Sequence, residues 1–262
     1  MNSPTHQSVE RRVGQIKIVP HDAVTLLQID RVEKHNALTA EFWGDLRRVL
    51  EELRADERTR AIVLTGAGDK AFCAGGDIAG FATLTTLESK RAYQIDAMNG
   101  FAALETCPLP VIAAVNGLAL GGGCELTLAC DIVLASDRAV FGMPEAALGL
   151  VPGYGVLRAP HVIGRQMTKL MVMAGERLDA QQALQAGLVQ RVVAHEQLLA
   201  TALGLAARVA ENPSLALAVG KGLINRGIDR AEFDYSVEAL TVLQASAETS
   251  QRVQSFIDRK RR

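Results

Sequence analysis

The chain has 262 residues, 48% hydrophobic and 22% charged, which excludes wholesale disorder and suffices for one large domain or two small ones. Lys and Arg total 28 against 29 Asp and Glu, so no bulk field exists to draw nucleic acid or an anionic membrane surface. Four cysteines (Cys73, Cys107, Cys124, Cys130) without a CxxC pair read as reduced thiols rather than a secreted disulfide scaffold.

The first eight or so residues read as frayed. The polar start lacks an apolar signal core, and no run of 18 uncharged apolar residues follows. A soluble protein in a cytoplasmic compartment is expected. From there, short β-rich runs alternate with helical periodicity. Ala23–Ile29, Ala61–Thr65, Val111–Val115, Ile132–Ala135 and Leu188–Val193 read as strands. Ala40–Arg54 is an amphipathic helix, with Phe42, Leu46, Val49, Leu50 and Leu53 on one face, and a second helix runs over roughly Glu88–Glu105. Such alternation predicts an α/β fold with parallel strands and crossover connections. After Pro160 only one more strand-like run occurs. Helices are expected over Asp179–Gln185, His195–Val209, Pro213–Asn225 and Ala231–Val253. The expected division is an α/β core over 1–197 and a helical C-terminal region over 198–262, packed together because no linker separates them.

Two segments share one plan. Ala61–Ile78 carries Gly75-Gly76-Asp77, and Val111–Asp131 carries Gly121-Gly122-Gly123. Each reads as an apolar strand, a turn, and clustered glycines that open a helix. Glycines there let a ligand approach the backbone closely, and the free N–H groups of a helix start point toward negative charge. Two such loops side by side would offer two donors to one developing oxyanion. Glu125 follows the glycine triplet in a first helical turn, where the dipole alone favours an acid. Glu145 follows Pro144 in an otherwise uncharged stretch between Arg138 and Arg158. The five histidines (His6, His21, His35, His161, His195) form no HxxxH or HExxH pair, so no metal centre is expected.

From Asn36-Ala-Leu38 through Ala71-Phe-Cys-Ala-Gly-Gly-Asp77, Gly121-Gly-Gly-Cys-Glu125 and Pro144-Glu145 to Phe256-Ile-Asp-Arg-Lys260, the chain resembles the enoyl-CoA hydratase/isomerase (crotonase) superfamily. The resemblance implies a crotonase-like ββα spiral core with a helical C-terminal region. It also implies that the enzyme is a hydro-lyase adding water reversibly across the 2,3 double bond of a 2-enoyl-CoA. On it, the Gly76 and Gly122 N–H groups form the oxyanion hole, Glu125 activates water, and Glu145 protonates C2. Coenzyme A contacts carry over to Ala37, Gly76, Asp77, Ile78, Phe256 and Arg259, with Asp77 read mainly as a tie within its own loop. The implied partner is an acyl-CoA thioester, with coenzyme A entering as part of the substrate and no other cofactor. The implied assembly is a homotrimer or dimer of trimers, with neither nucleic acid nor membrane as partner.

The family's isomerases commonly keep only the acid at the Glu145 position, so retention of both favours hydration over double-bond migration. Pro152-Gly153-Tyr154 stands where dienoyl-CoA isomerases and dehalogenases of the family place an Asp. The run after Pro152-Gly153 is one residue shorter than in most relatives, which leaves acyl specificity and the role of Tyr154 open. An enoyl-CoA delta-isomerase, another acyl-CoA enzyme of this type, and a non-enzymatic acyl-CoA binder of the same fold stay as alternatives. Gly66-Ala-Gly68-Asp-Lys-Ala71 formally fits a dinucleotide fingerprint, but Gly75-Gly76-Asp77 interrupts the helix that fingerprint needs. Cys73 reads as a small buried residue rather than a nucleophile.

Overall fold

The computed structural model describes residues 10–225 and 230–260. The expectation of a frayed start therefore lies outside the described residues, as do the last two arginines. In chain order the strands are β1 (Arg11–Val13), β2 (Ile16–His21), β3 (Val24–Ile29), β4 (Ala61–Gly66), β5 (Ala71–Cys73) and β6 (Val111–Val115). They continue with β7 (Leu118–Leu120), β8 (Ile132–Ser136), β9 (Val140–Gly142), β10 (Arg177–Asp179) and β11 (Arg191–Val193). The helices are α1 (Phe42–Ala55), α2 (Ile78–Phe81), α3 (Leu87–Thr106), α4 (Gly122–Ala129), α5 (Gly155–Val162) and α6 (Arg165–Met173). Then follow α7 (Ala180–Ala186), α8 (Leu198–Ala210), α9 (Ser214–Ile224), α10 (Arg230–Ala245) and α11 (Ala247–Lys260).

The larger sheet runs β1-β2-β3-β4-β6-β8-β11, antiparallel through β1, β2 and β3 and parallel from β3 onward. The smaller runs β10-β9-β7-β5, with only the β10–β9 pair antiparallel. β4 and β6 are buried at every residue because both sheet faces are covered, which explains their unbroken apolar runs. On one face, Trp43, Leu46, Val49, Leu50 and Leu53 of α1 join Met98, Phe101 and Leu104 of α3 in the main core. On the other, Ala202, Ala206 and Ala210 of α8 lie against Val63, Ile112 and Ala114; small residues let the helix sit close to the strands.

Several expectations change. The Ala231–Val253 helix is two helices, because Ser246 breaks it. Its Oγ accepts the Thr249 N–H at 3.2 Å, capping α11 and turning the chain. Thr249 Oγ1 then donates to the Gly149 carbonyl at 3.0 Å, which fastens α11 beside Glu145. The strand at Leu188–Val193 shrinks to β11. Leu188 and Val189 instead donate to the Ala183 carbonyl and close α7 at Gly187, whose φ is +86°. After Pro160 the described residues hold two strands, not one. Three-residue β10 is too short to show a period and is defined by pairing with β9. β1, β2, β5, β7 and β9 were not anticipated either.

The C-terminal helices close over the core. Lys221 of α9 donates to the Leu104 and Leu109 carbonyls at 3.1 and 3.2 Å and to Asp131 Oδ2 at 2.7 Å. Ser236 Oγ of α10 donates to the Gly153 carbonyl at 2.8 Å. Among the described residues, no helix is long and apolar enough to cross a membrane.

Candidate active site

Parallel strands β5 and β7 deliver both glycine loops to one edge of the smaller sheet. Two buried asparagines hold the turns beneath. Asn36 Nδ2 donates to the Ala67 and Ala71 carbonyls at 3.0 and 2.8 Å, and Asn116 Nδ2 to those of Gly66 and Gly68 at 3.0 and 2.6 Å. The loops touch so closely that a Cβ on Gly123 would drive into the Cys73 carbonyl. At Gly121 the backbone has φ +51°, and a Cβ would stand 2.8 Å from Glu145 Oε1. Only glycine meets both demands. Cys73 itself is buried, and burial pushes its thiol up to about 12, as an inert packing residue requires.

Leu38 bridges the first loop, donating to the Gly75 carbonyl and accepting from Asp77 N–H, each at 2.8 Å. That pattern skips the Gly76 N–H. Gly122 opens α4, where a first-turn N–H has no carbonyl one turn earlier. Neither N–H has a backbone acceptor among the described residues. They are neighbours: a Cβ on Gly122 would lie 3.8 Å from Gly76 N. Two main-chain donors without a backbone acceptor among the described residues thus lie close together.

Glu125, 6% exposed, projects from α4. Its Oε1 accepts the Tyr154 and Gly155 N–H groups, both at 2.8 Å, at the start of α5. Tyr154 is fixed in turn by stacking on Phe101 at 4.9 Å and by donating its hydroxyl to Glu105, which Arg158 also grips, with Nε at 3.0 Å. Glu145 begins a one-turn helix over Glu145–Leu148; its Oε2 is sealed from solvent and has no hydrogen-bond partner among the described residues. Burial pushes both carboxyls above their ordinary range. For Glu125 the two amides oppose that rise, whereas for Glu145 the charge of Glu125 adds to it.

Gly76, Gly122, Glu125 and Glu145 line one cavity of about 730 Å³. Ile78, Phe256 and Arg259 line it too, whereas Ala37 and Asp77 do not appear among its lining residues. Ala37 offers its carbonyl to Gln15 Nε2 and Arg31 Nη1 at 3.3 and 3.2 Å. Asp77 caps α2 through Ala79 N–H at 3.1 Å and pairs with Arg31 Nη1 at 2.8 Å. Sequence reasoning missed Arg31, which joins these loops, and the side walls formed by Trp43, Phe81, Tyr93, Met98, Phe101 and Leu240. Their helical spacing marks them only as core.

The chain matches the family model described as enoyl-CoA hydratase/isomerase over residues 20–261. It is 39% identical over 206 residues to the short-chain-enoyl-CoA hydratase of Clostridium acetobutylicum, spanning 78% of each protein. To the crotonyl-CoA hydratase of Syntrophomonas wolfei it is 33% identical over 245 residues, covering 92% of this chain and 94% of that one. Among solved structures, an enoyl-CoA hydratase/isomerase from Mycobacterium paratuberculosis superposes with a TM-score of 0.86 at 29% identity, covering 92% of this chain and 98% of the other.

Proposed function

The chain belongs to the enoyl-CoA hydratase/isomerase family, and from that membership we propose that it is a hydro-lyase adding water reversibly across the 2,3 double bond of a 2-enoyl-CoA thioester. The observation that carries this reading is the presence of two carboxylates and two unpaired backbone N–H groups in one cavity. The thioester oxygen lies between Gly76 N–H and Gly122 N–H, which stabilise the negative charge that develops there during attack at C3. One such donor is typically worth about 10²–10³ in rate.

The unequal seats of the acids divide the labour. Glu125 accepts two amide bonds that favour its charged form, so it takes a proton from water. Glu145 lacks such donors on Oε2 and faces the Glu125 charge, so it carries the proton delivered to C2. The coenzyme A moiety runs past Ile78 toward Phe256 and Arg259, whose cation suits a phosphate. Ala37 and Asp77 act by shaping the loop that receives it. No cofactor beyond the coenzyme A of the substrate enters this chemistry.

A homotrimer or dimer of trimers and a cytoplasmic setting complete the proposal, with neither nucleic acid nor membrane as partner. An apolar face on α9, where Leu215 and Ile224 are 78% and 82% exposed, supports association. Four free cysteines support a reducing compartment. The test is the ultraviolet absorbance of crotonyl-CoA mixed with the protein. Hydration removes the conjugated alkene, and the absorbance falls to an equilibrium level. An unchanged spectrum leaves a binder; a signal that rises when a 3-enoyl-CoA is supplied, with no loss on crotonyl-CoA, marks an isomerase.

A further inference from the structure

The acyl end of the cavity is not purely apolar. Trp43 is 2% exposed, and its Nε1–H has no hydrogen-bond partner among the described residues. Close by, the Tyr93 hydroxyl shows no hydrogen bond to any described side chain or carbonyl that meets bonding geometry, although the Trp43 N–H bears on it. Both residues line the cavity that holds Glu125 and Glu145. An indole N–H only donates, and a phenol has one proton to give. Even if Trp43 donates to the Tyr93 oxygen, the Tyr93 proton has no acceptor among the described residues. One donor therefore remains over in either arrangement, and where that donor is the buried Trp43 N–H, leaving it unpaired costs free energy.

The aromatic contacts say how far this donor lies from the reacting atoms. The Phe81 ring lies against Gly76, where a Cβ would meet its Cζ at 2.5 Å. Tyr93 packs edge-on to Phe81 with ring centroids 4.9 Å apart, and the Glu125 charge acts on its hydroxyl. Tyr93 is thus one aromatic ring removed from the amide assigned to the thioester oxygen, and Trp43 reaches toward the base through Phe101, 4.6 Å away, which stacks on the Tyr154 whose N–H holds Glu125. A ligand atom meeting it belongs to the acyl group, a few bonds beyond the alkene.

We propose that the acyl group taken by this cavity carries a hydrogen-bond-accepting oxygen (ether, carbonyl or hydroxyl) a few bonds beyond its double bond, received by the donors of Trp43 and Tyr93. The inference rests on the hydratase reading and names the substrate class within it. The competing occupant is a buried water.

Matched isosteres separate the two. kcat/KM is measured for trans-2-hexenoyl-CoA against 4-methoxybut-2-enoyl-CoA, and for trans-2-heptenoyl-CoA against 5-methoxypent-2-enoyl-CoA. Each pair is run with the parent protein, Trp43→Phe and Tyr93→Phe. The oxygen alters intrinsic alkene reactivity equally in parent and variants, so the readout is the change in the ether-to-hydrocarbon ratio. That ratio is expected to fall about five- to tenfold in at least one variant for at least one pair, the worth of one neutral hydrogen bond. Tyr93→Phe removes a single oxygen and keeps the ring against Phe81, so it decides the matter if Trp43→Phe does not fold. Ratios untouched by substitution, with all substrates hydrated, mean that the donors hold only water and overturn this inference alone. Failure of the parent to hydrate any of them brings down the hydratase reading, and this inference with it.

Discussion

Glu125 and Glu145 share a cavity, yet the chain seats them in opposite ways. Glu125 stands in the first turn of α4, and its Oε1 is saturated by the two N–H groups that open α5. Glu145 opens a single tight turn, its Oε1 standing where a Gly121 Cβ would project and its Oε2 without a partner among the described residues. Burial is common to both and so cannot tell them apart. Their neighbours can: two amides keep Glu125 closer to its charged form, whereas the Glu125 charge pushes Glu145 to hold its proton, with its own backbone N–H opposing that in part. On the proposed mechanism, two identical side chains thereby serve as a base and an acid at one pH.

The comparison breaks most visibly if the acids are neutralised one at a time. Glu125→Gln and Glu145→Gln are each expected to lower kcat for hydration by about 10²–10⁴, with KM changed only a few-fold. A variant that kept near-parental turnover would show that one carboxylate does both jobs. The seat of Glu125 is probed more gently through Tyr154→Phe, which cuts the hydroxyl bond to Glu105 but leaves the stack on Phe101. We expect kcat to fall about three- to tenfold, near the worth of one hydrogen bond. As the amides drift from Oε1, the acid limb of the pH–rate profile should move to higher pH. A lower kcat with an unmoved limb would mean the tether does not act through Glu125.

The smallest effect concerns stability. The folded chain holds a proton on Glu145 at pH values where the unfolded chain has released it, so this site costs stability as pH rises from the ordinary carboxyl range through its raised value. Glu145→Gln removes that penalty. Its melting temperature relative to the parent should improve by about 2–4 °C between about pH 5 and about pH 9. Thermal scans at both pH values check the slope, and an equal offset at both would contradict it.

How much of this could be read beforehand depends on where along the chain each part is written. The glycine loops are local: strand, turn and helix start lie within some twenty residues of one another, so the pattern singles out Gly76, Gly122 and Glu125, while Glu145 stands out as the one charge between Arg138 and Arg158. The sheet's central strands were legible as unbroken apolar runs. Three-residue strands such as β10 exist only through their partners, and Ser246 breaks a helix by capping its neighbour, which periodicity does not register. The acyl wall was the least legible part. Trp43, Tyr93 and Leu240 come from α1, α3 and α10, far apart in sequence, and each reads as ordinary core until the fold brings them round one void.

The seam at Gly149, where α11 is pinned beside Glu145, also sets a clock on biosynthesis. A ribosome emits the glycine loops and both glutamates well before Leu240, Phe256 and Arg259, which finish the chamber's far side. Until α10 and α11 emerge, that side of the chamber lacks its wall and the apolar side chains around it stay open to water. The chamber is therefore closed only once α10 and α11 have joined the loops and acids laid down far earlier in the chain.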